Sequence, residues 1–404
     1  MKKFFALLLV LCLAFAGIIT YVSYTPMPIA DEVALESAPA YEGETAGEEP
    51  AAEEAAAPSY RGLDYEAILA LHNDEEIIGS VNGRDVTWRE YFYWFFMQAN
   101  QIDNMAITYG IDPDWSEMAT EDMNLSQMVL ENAAYMVRQL DAIELYSKEN
   151  GVELTEEDIE TVAQQIESEK TQILGEGATD EEFNAKLEEL HMSREMYEKV
   201  LNTNALIERG FTELYGENGE KVDEADVVAY LADQGYMSAH HILIMSIDPA
   251  TGMKLDEAAI EESRAQAEAL AEELQAIEND EERLVRFNEL KAEFCDDTGK
   301  AAYPDGYTYT AGTMYPEFEA ACLAQEAYQV SDVVETGVGF HIIMTLPLDA
   351  DALVFSASGN PSVARSLYAE ADYNQALADK IDSVTFEYAE DFEQFYLGDF
   401  ENVK

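Results

Sequence analysis

Residues 236–246 read YMSAHHILIMS. The run from Ala239 to Met245 carries no charge and predicts a buried strand over 238–246. Two of the chain's five histidines stand side by side within it. Strand alternation puts Ala239, His241, Leu243 and Met245 on one face, and His240, Ile242 and Ile244 on the other. The neighbouring histidines therefore point opposite ways and cannot share one task. A third, His341, lies in VGFHIIM (338–344), a second short apolar strand predicted over 340–346, where it shares a face with Ile343. If these strands pair, His241 meets His341, and His240 faces away with no role.

Between the two strands the pattern predicts a charged helix (256–277), a helix (281–294), an irregular loop (295–312) and a helix (316–324). The fold class is α+β: an inserted unit over 237–347, with a small antiparallel sheet, interrupting a helical domain. The helical part is predicted over 75–236. IIGSVNGRDVTWREY (77–91) opens it, with Asn82-Gly83 as a turn between short apolar runs. Thr87 followed by Glu90 reads as a capping box. Helical patterns run at about 118–149, 155–175, 179–190 and 193–216, the last with Ser193 as N-cap. DEADVVAYLADQ (223–234) makes one more helix. Residues 348–404 are expected to return as a helical segment packing on this domain.

Towards the N-terminus, Lys2 and Lys3 precede an apolar run over 4–22, with Ala14-Phe15-Ala16 as a cleavage pattern. Both a cleaved signal peptide (1–22) and an uncleaved membrane anchor fit that run. Either one places the body outside the cytoplasm. LVLC (9–12) lacks the small residues that lipoprotein processing at Cys12 requires. Residues 23–74 are acidic and poor in apolar periodicity, and are expected to be a disordered tether. The chain has 83 acidic against 22 basic residues, a net charge of −61. That field repels phosphate backbones, so no nucleic-acid partner is expected.

Three chemistries fit the histidines on pattern alone. His241, His341 and Asp297 could supply three ligands to a metal, though no H-x-x-x-H or H-E-x-x-H spacing supports it. Cys295 could be a nucleophile, but Asp296 and Asp297 oppose thiolate formation. Buried histidines satisfied by hydrogen bonds are the third. The pairing of Cys295 and Cys322 is left open by the sequence.

Four segments in register carry a resemblance. Ala239-His240-His241-Ile242-Leu243 fits A-x-H-I-L, and Phe294-Cys295-Asp296-Asp297 fits an aromatic residue followed by a polar cluster after a helix. Gly312-Thr313-Met314-Tyr315-Pro316-Glu317-Phe318-Glu319 fits G-x-M-x-x-x-F-E. Val334 to Ile343 fits V-x-T-x-x-G-x-H-I-I. Together they resemble a parvulin-type peptidyl-prolyl isomerase domain. With the flanking helices, the whole resembles the secreted foldases of the PrsA/SurA type.

The resemblance implies catalytic roles for His241, Asp297, Thr336 and His341. It implies a proline-gripping pocket of Met314 and Phe318, with Leu243 and Phe340 beside them. It implies no metal and no cofactor. The implied partners are unfolded or newly translocated proteins containing X-Pro bonds, and the implied alternative is a peptide-binding chaperone without catalysis. One departure stands out: the family's Gly-Gly-x-Leu-Gly turn is replaced by AYPDGYTYTAG (302–312), so the groove is expected to be reshaped. After the first strand, Lys254 is the lone basic residue, which argues against phosphoserine-proline selectivity.

Overall fold

The computed structural model describes residues 60–355 and 361–403. The apolar run at 4–22, Cys12 and most of the acidic segment lie outside the described residues. None of the described helices is long and apolar enough to cross a membrane. The chain divides into two compact units, residues up to 210 together with those from 374 on, and residues 211–373.

The first unit begins earlier than the composition predicts. Strand β1 (Tyr60–Leu63) and helix α1 (Tyr65–Leu69) form within the segment expected to be a tether. A buried carboxylate explains the difference. Asp103 accepts hydrogen bonds from Tyr60 Oη, from Leu63 N at 2.9 Å and from Tyr65 Oη at 2.7 Å. Those polar anchors, invisible to a count of apolar residues, offset the ordering of the strand.

Strands β2 (Ile77–Val81) and β3 (Arg84–Thr87) form a hairpin. Its turn residues Asn82 and Gly83 both have positive φ, at 50° and 80°, as a type I′ turn requires. Thr87 caps helix α2 (Trp88–Tyr109) by accepting from Glu90 N at 3.3 Å. The predicted box is not reciprocal: the Glu90 carboxylate instead takes two bonds from Arg84, both 2.8 Å. Residues Trp88 to Phe96, apart from the half-buried Arg89 and Glu90, are buried on every side of α2. A helix apolar all round lies inside its unit, not on its surface.

Helix α3 (Leu125–Glu149) starts later than expected, at a capping box of Asn124 and Gln127, because residues 110–124 form turns after Gly110 ends α2. Helices α4 (Glu156–Leu174), α5 (Asp180–Glu188) and α6 (Arg194–Tyr215) follow, with Ser193 Oγ accepting from Met196 N at 3.1 Å.

The C-terminal part is not wholly helical. Helix α11 (Ala364–Ser383) gives way to β10 (Phe386–Tyr388), which pairs with β2, and to β11 (Glu401–Val403), which pairs with β1. Phe386, Phe392 and Phe395 reach the rings of Tyr91 and Trp88, at centroid distances of 6.0–6.3 Å. Phe386 and Tyr388, in a segment whose aromatic residues are spaced for a helix, are drawn into a strand by that pairing.

The second unit takes in the last turn of α6, then α7 (Glu224–Asp233), and is built on a six-stranded sheet. Its strands are β4 (Tyr236–Met245), β5 (Tyr307–Thr310), β6 (Val334–Glu335), β7 (Gly339–Leu346), β8 (Leu353–Val354) and β9 (Ser362–Val363). Their order is β6-β7-β4-β5-β8-β9. The sheet is mixed, since β5 and β8 run parallel, and it passes beyond residue 347. The stretch expected to be an irregular loop contains β5, whose Tyr-Thr alternation is itself a strand signal. Helices α8 (Glu257–Gln275) and α9 (Asp280–Phe294) cover one face through Ile242, Ile244, Phe340, Ile342 and Met344. Helix α10 (Pro316–Leu323) packs on the other face, beside Ala239, Ile343 and Tyr309.

Candidate functional site

Antiparallel pairing of β4 with β7 sets Leu243 opposite His341 and His241 opposite Ile343, so both histidines lie on the α10 face. Their ring centroids are 5.3 Å apart. Phe318 stands edge-on to both, at 5.4 Å from His241 and 5.6 Å from His341. Met314 packs at the margin of the same cluster. It is held there by Glu319, whose carboxylate accepts from Met314 N at 2.9 Å and Gly312 N at 3.1 Å. Tyr315, half exposed, lies 6.5 Å from His341.

Asp297 arrives by an edge route. Strand β5 pairs with β4 only as far as Ala239, and residues 295–296 take over the rest of that edge. Asp296 N donates to Leu243 O at 2.8 Å, and its carboxylate accepts from Met245 N at 2.9 Å. The next residue then points onto the histidine face. Asp297 Oδ2 lies 3.5 Å from His241 Nε2, and its Oδ1 accepts from Gly299 N at 2.9 Å. Thr336 Oγ1 and His341 Nε2 are hydrogen-bonded at 2.9 Å.

Burial dominates the electrostatics. It lowers His241 to about 4 despite the nearby Asp297 carboxylate, and lowers His341 to about 3, with His241 adding to the effect. Both rings are neutral at pH 7. The Nδ1 atoms of both are buried without a hydrogen-bond partner, leaving each imidazole with a free polar atom in a dry setting. Among the described residues, no three His, Cys, Asp or Glu side chains are disposed to hold a metal ion. Cys295 is buried, contacts Leu243 N and His241 O through Sγ, and has its thiol pushed up by burial, opposite to what a nucleophile needs. Cys295 and Cys322 are both free.

Six of the eight residues singled out by sequence thus come together: His241, Asp297, Thr336, His341, Met314 and Phe318. Phe340 does not line the site, and Leu243, opposite His341, is buried at its edge. Phe340 alternates with His341, so it lies fully buried on the helix face with the Arg264 guanidinium over its ring. Leu243 shares the histidine face but is buried in the cluster that includes Cys295.

The sequence reading also missed three participants. Tyr307 stacks on His241, at 5.5 Å and 20°, and its hydroxyl donates to Asp297 Oδ2 at 2.6 Å. On the opposite face, His240 is not idle: its Nδ1 lies 3.2 Å from Lys291 Nζ. A cavity of about 390 Å³ on that side is lined by His240, Asn288, Tyr303 and Pro304, among others. The alternation of Tyr and Thr at 307–310 could have flagged Tyr307, whereas nothing in the pattern of the helix over 281–294 distinguishes Lys291 from a surface lysine.

The PPIC-type PPIASE domain family matches residues 241–346. The foldase protein PrsA of Oceanobacillus iheyensis is 28% identical over 193 residues, which are 48% of this chain and 55% of that protein. The chain thus spans about half the length of this curated relative. Among solved structures, PrsA from Bacillus subtilis is 18% identical with a TM-score of 0.24, over 77% of this chain and 92% of that one. A structure of SurA-like chaperones from Campylobacter jejuni is 13% identical with a TM-score of 0.23, over 76% and 94%.

Proposed function

We propose that this chain, with its PPIC-type domain, is a peptidyl-prolyl cis/trans isomerase and chaperone, a foldase for exported proteins. The matched domain within 237–347 carries the chemistry, and the flanking parts 75–236 and 348–404, the latter part helix and part strand, carry the chaperone role. The observation that supports this most is the convergence of Phe318, Met314 and two neutral, buried histidines on one sheet face, with Asp297 at 3.5 Å from His241.

Isomerisation asks for such a site. Rotating a peptide bond costs about 18–20 kcal/mol because amide resonance is lost. At X-Pro the isomers differ by only about 0.5–1 kcal/mol, yet exchange over tens to hundreds of seconds. No bond breaks, so neither a nucleophile nor a metal is needed. Met314 and Phe318 form the socket for the proline ring. The planar amide is more dipolar than the twisted one, so removing water from around it favours the twisted form. His241 and His341, with Asp297 and Thr336 fixing their orientation, offer preorganised polar atoms to the rotating carbonyl and nitrogen. The substrates are unfolded or newly translocated chains with X-Pro bonds. The apolar run at 4–22 supplies export and either cleavage or a tether on the outer membrane face, a choice that the intact mass of the protein from its host decides.

A protease-coupled isomerisation assay on proline tetrapeptides tests the proposal. The chain is expected to accelerate isomerisation, and His241→Ala and Phe318→Ala are each expected to lower kcat/KM by about 10- to 100-fold, a loss of about 1.4–2.8 kcal/mol of transition-state stabilisation. A chain that suppresses aggregation but leaves isomerisation at the background rate removes the catalytic part of the reading.

A further inference from the structure

We propose that Tyr307 is a positioning residue for the His241–Asp297 pair, secured from behind the sheet by Lys291 and His240, and that residue 299 is glycine to admit the Tyr307 hydroxyl. The inference rests on the isomerase reading above and adds to it residues that the family pattern does not supply.

Tyr307 lies opposite Ala239 in the β4–β5 pairing, which directs its ring to the histidine face. It is 6% exposed, held between His241 on one side and Tyr303 and Phe355 on the other, at centroid distances of 4.8 and 5.8 Å from the latter two. One side chain therefore performs two tasks. Its ring covers His241, and its hydroxyl anchors the same Asp297 oxygen that faces His241 Nε2. With Gly299 N on the other oxygen, the carboxylate is held from three directions.

Gly299 identifies this contact as a constraint on the sequence. Its backbone lies outside the left-handed region, so conformation alone does not require glycine. A Cβ there would sit 2.2 Å from Tyr307 Oη and 3.3 Å from Asp297 Oδ1. The missing side chain is the space the hydroxyl occupies.

The turn leading into β5 is fixed from the far side of the sheet. Lys291 is 7% exposed and makes no ion pair among the described residues. Its Nζ donates to Pro304 O at 3.0 Å and Tyr303 O at 3.3 Å, and lies 3.2 Å from His240 Nδ1. An ammonium has three N–H donors, and here each one has a neutral acceptor. Burial lowers His240 to about 3, which leaves its ring able to accept. Two carbonyls just ahead of Tyr307 are thus clamped to α9, and the two adjacent histidines serve one site from opposite faces.

The test measures kcat and KM for tetrapeptide isomerisation, with melting temperature, on the full chain and on Tyr307→Phe, Gly299→Ala, the double variant Gly299→Ala/Tyr307→Phe, and Lys291→Met. Tyr307→Phe keeps the ring and loses the hydroxyl, so kcat is expected to fall about tenfold, the scale of one hydrogen bond to a carboxylate, with KM within about twofold. Gly299→Ala is expected to lose at least as much, and the double variant to recover to the Tyr307→Phe rate. Lys291→Met is expected to lower kcat more than it raises KM. Wild-type kcat in Tyr307→Phe overturns the proposal, as does increased kcat, which would make Tyr307 a plug. Losses that multiply in the double variant overturn the role given to Gly299. A wild-type chain at the background rate is a different failure, since it removes the isomerase reading itself.

Discussion

His240, His241 and His341 are all held uncharged, lowered to about 3, 4 and 3 chiefly by desolvation. An unfolded histidine takes its proton near pH 6.5, whereas these folded ones do not until about pH 3–4. Above pH 6.5 both states are neutral and the burial carries no penalty. As pH falls below 6.5 the unfolded chain alone binds protons, so stability is lost down to the folded values. The slope is about 1.4 kcal/mol per pH unit for each histidine. The second unit is therefore expected to melt at a lower temperature at pH 5 than at pH 7, followed by calorimetry. His341→Asn, which can still bond Thr336, is expected to shrink that difference. An undiminished drop in the variant would remove His341 from the account.

Elements that lacked a local signal were decided by pairing. The strand that opens the second unit was legible because period-two alternation is independent of context, and it correctly set His241 with His341 and apart from His240. The same rule misplaces Phe340 only when it is ignored, since adjacent strand residues cannot share a face. The C-terminal strand β10 was not legible: VTFEYAEDFEQFYL carries aromatic residues at spacings that suit a helix, and only β2 makes part of it a strand. Asp103 and Lys291 were illegible for a related reason, because a buried charge has the same letter as a solvated one. Trp88, Trp94 and Trp115 are at most 1% exposed and all belong to the first unit, so tryptophan emission reports on that unit alone. Ending the chain after Ser383 removes β10, β11, Phe392 and Phe395. Its emission is expected to shift to longer wavelength, and its urea transition to move to lower concentration. Unchanged emission and midpoint would mean that these elements contribute nothing to the core of that unit.

At the scale of the whole molecule, a net charge of −61 sets acidic side chains against one another over distances longer than any single contact. Many of the ion pairs among the described residues, such as Arg286 with Glu273 and Glu289, sit at the surface, where each is worth little. Screening should therefore relieve more repulsion than attraction. The Debye length falls from about 30 Å at 0.01 M salt to about 8 Å at 0.15 M. Melting temperature is expected to rise over that range, and a fall would mean that the attractive pairs outweigh the general repulsion.

The discontinuity of the first unit has a consequence in time. A chain that emerges N-terminus first presents Trp88 to Phe96 long before β10 and β11 exist to close over them. At about 5–20 residues per second, the intervening residues 211–373 occupy roughly 8–30 s of synthesis. The second unit, continuous in sequence, has everything it needs while the first is still waiting. In that order of emergence the insertion has all its elements before its host does, and the aromatic interior of the host lacks its covering strands until the end of the chain arrives.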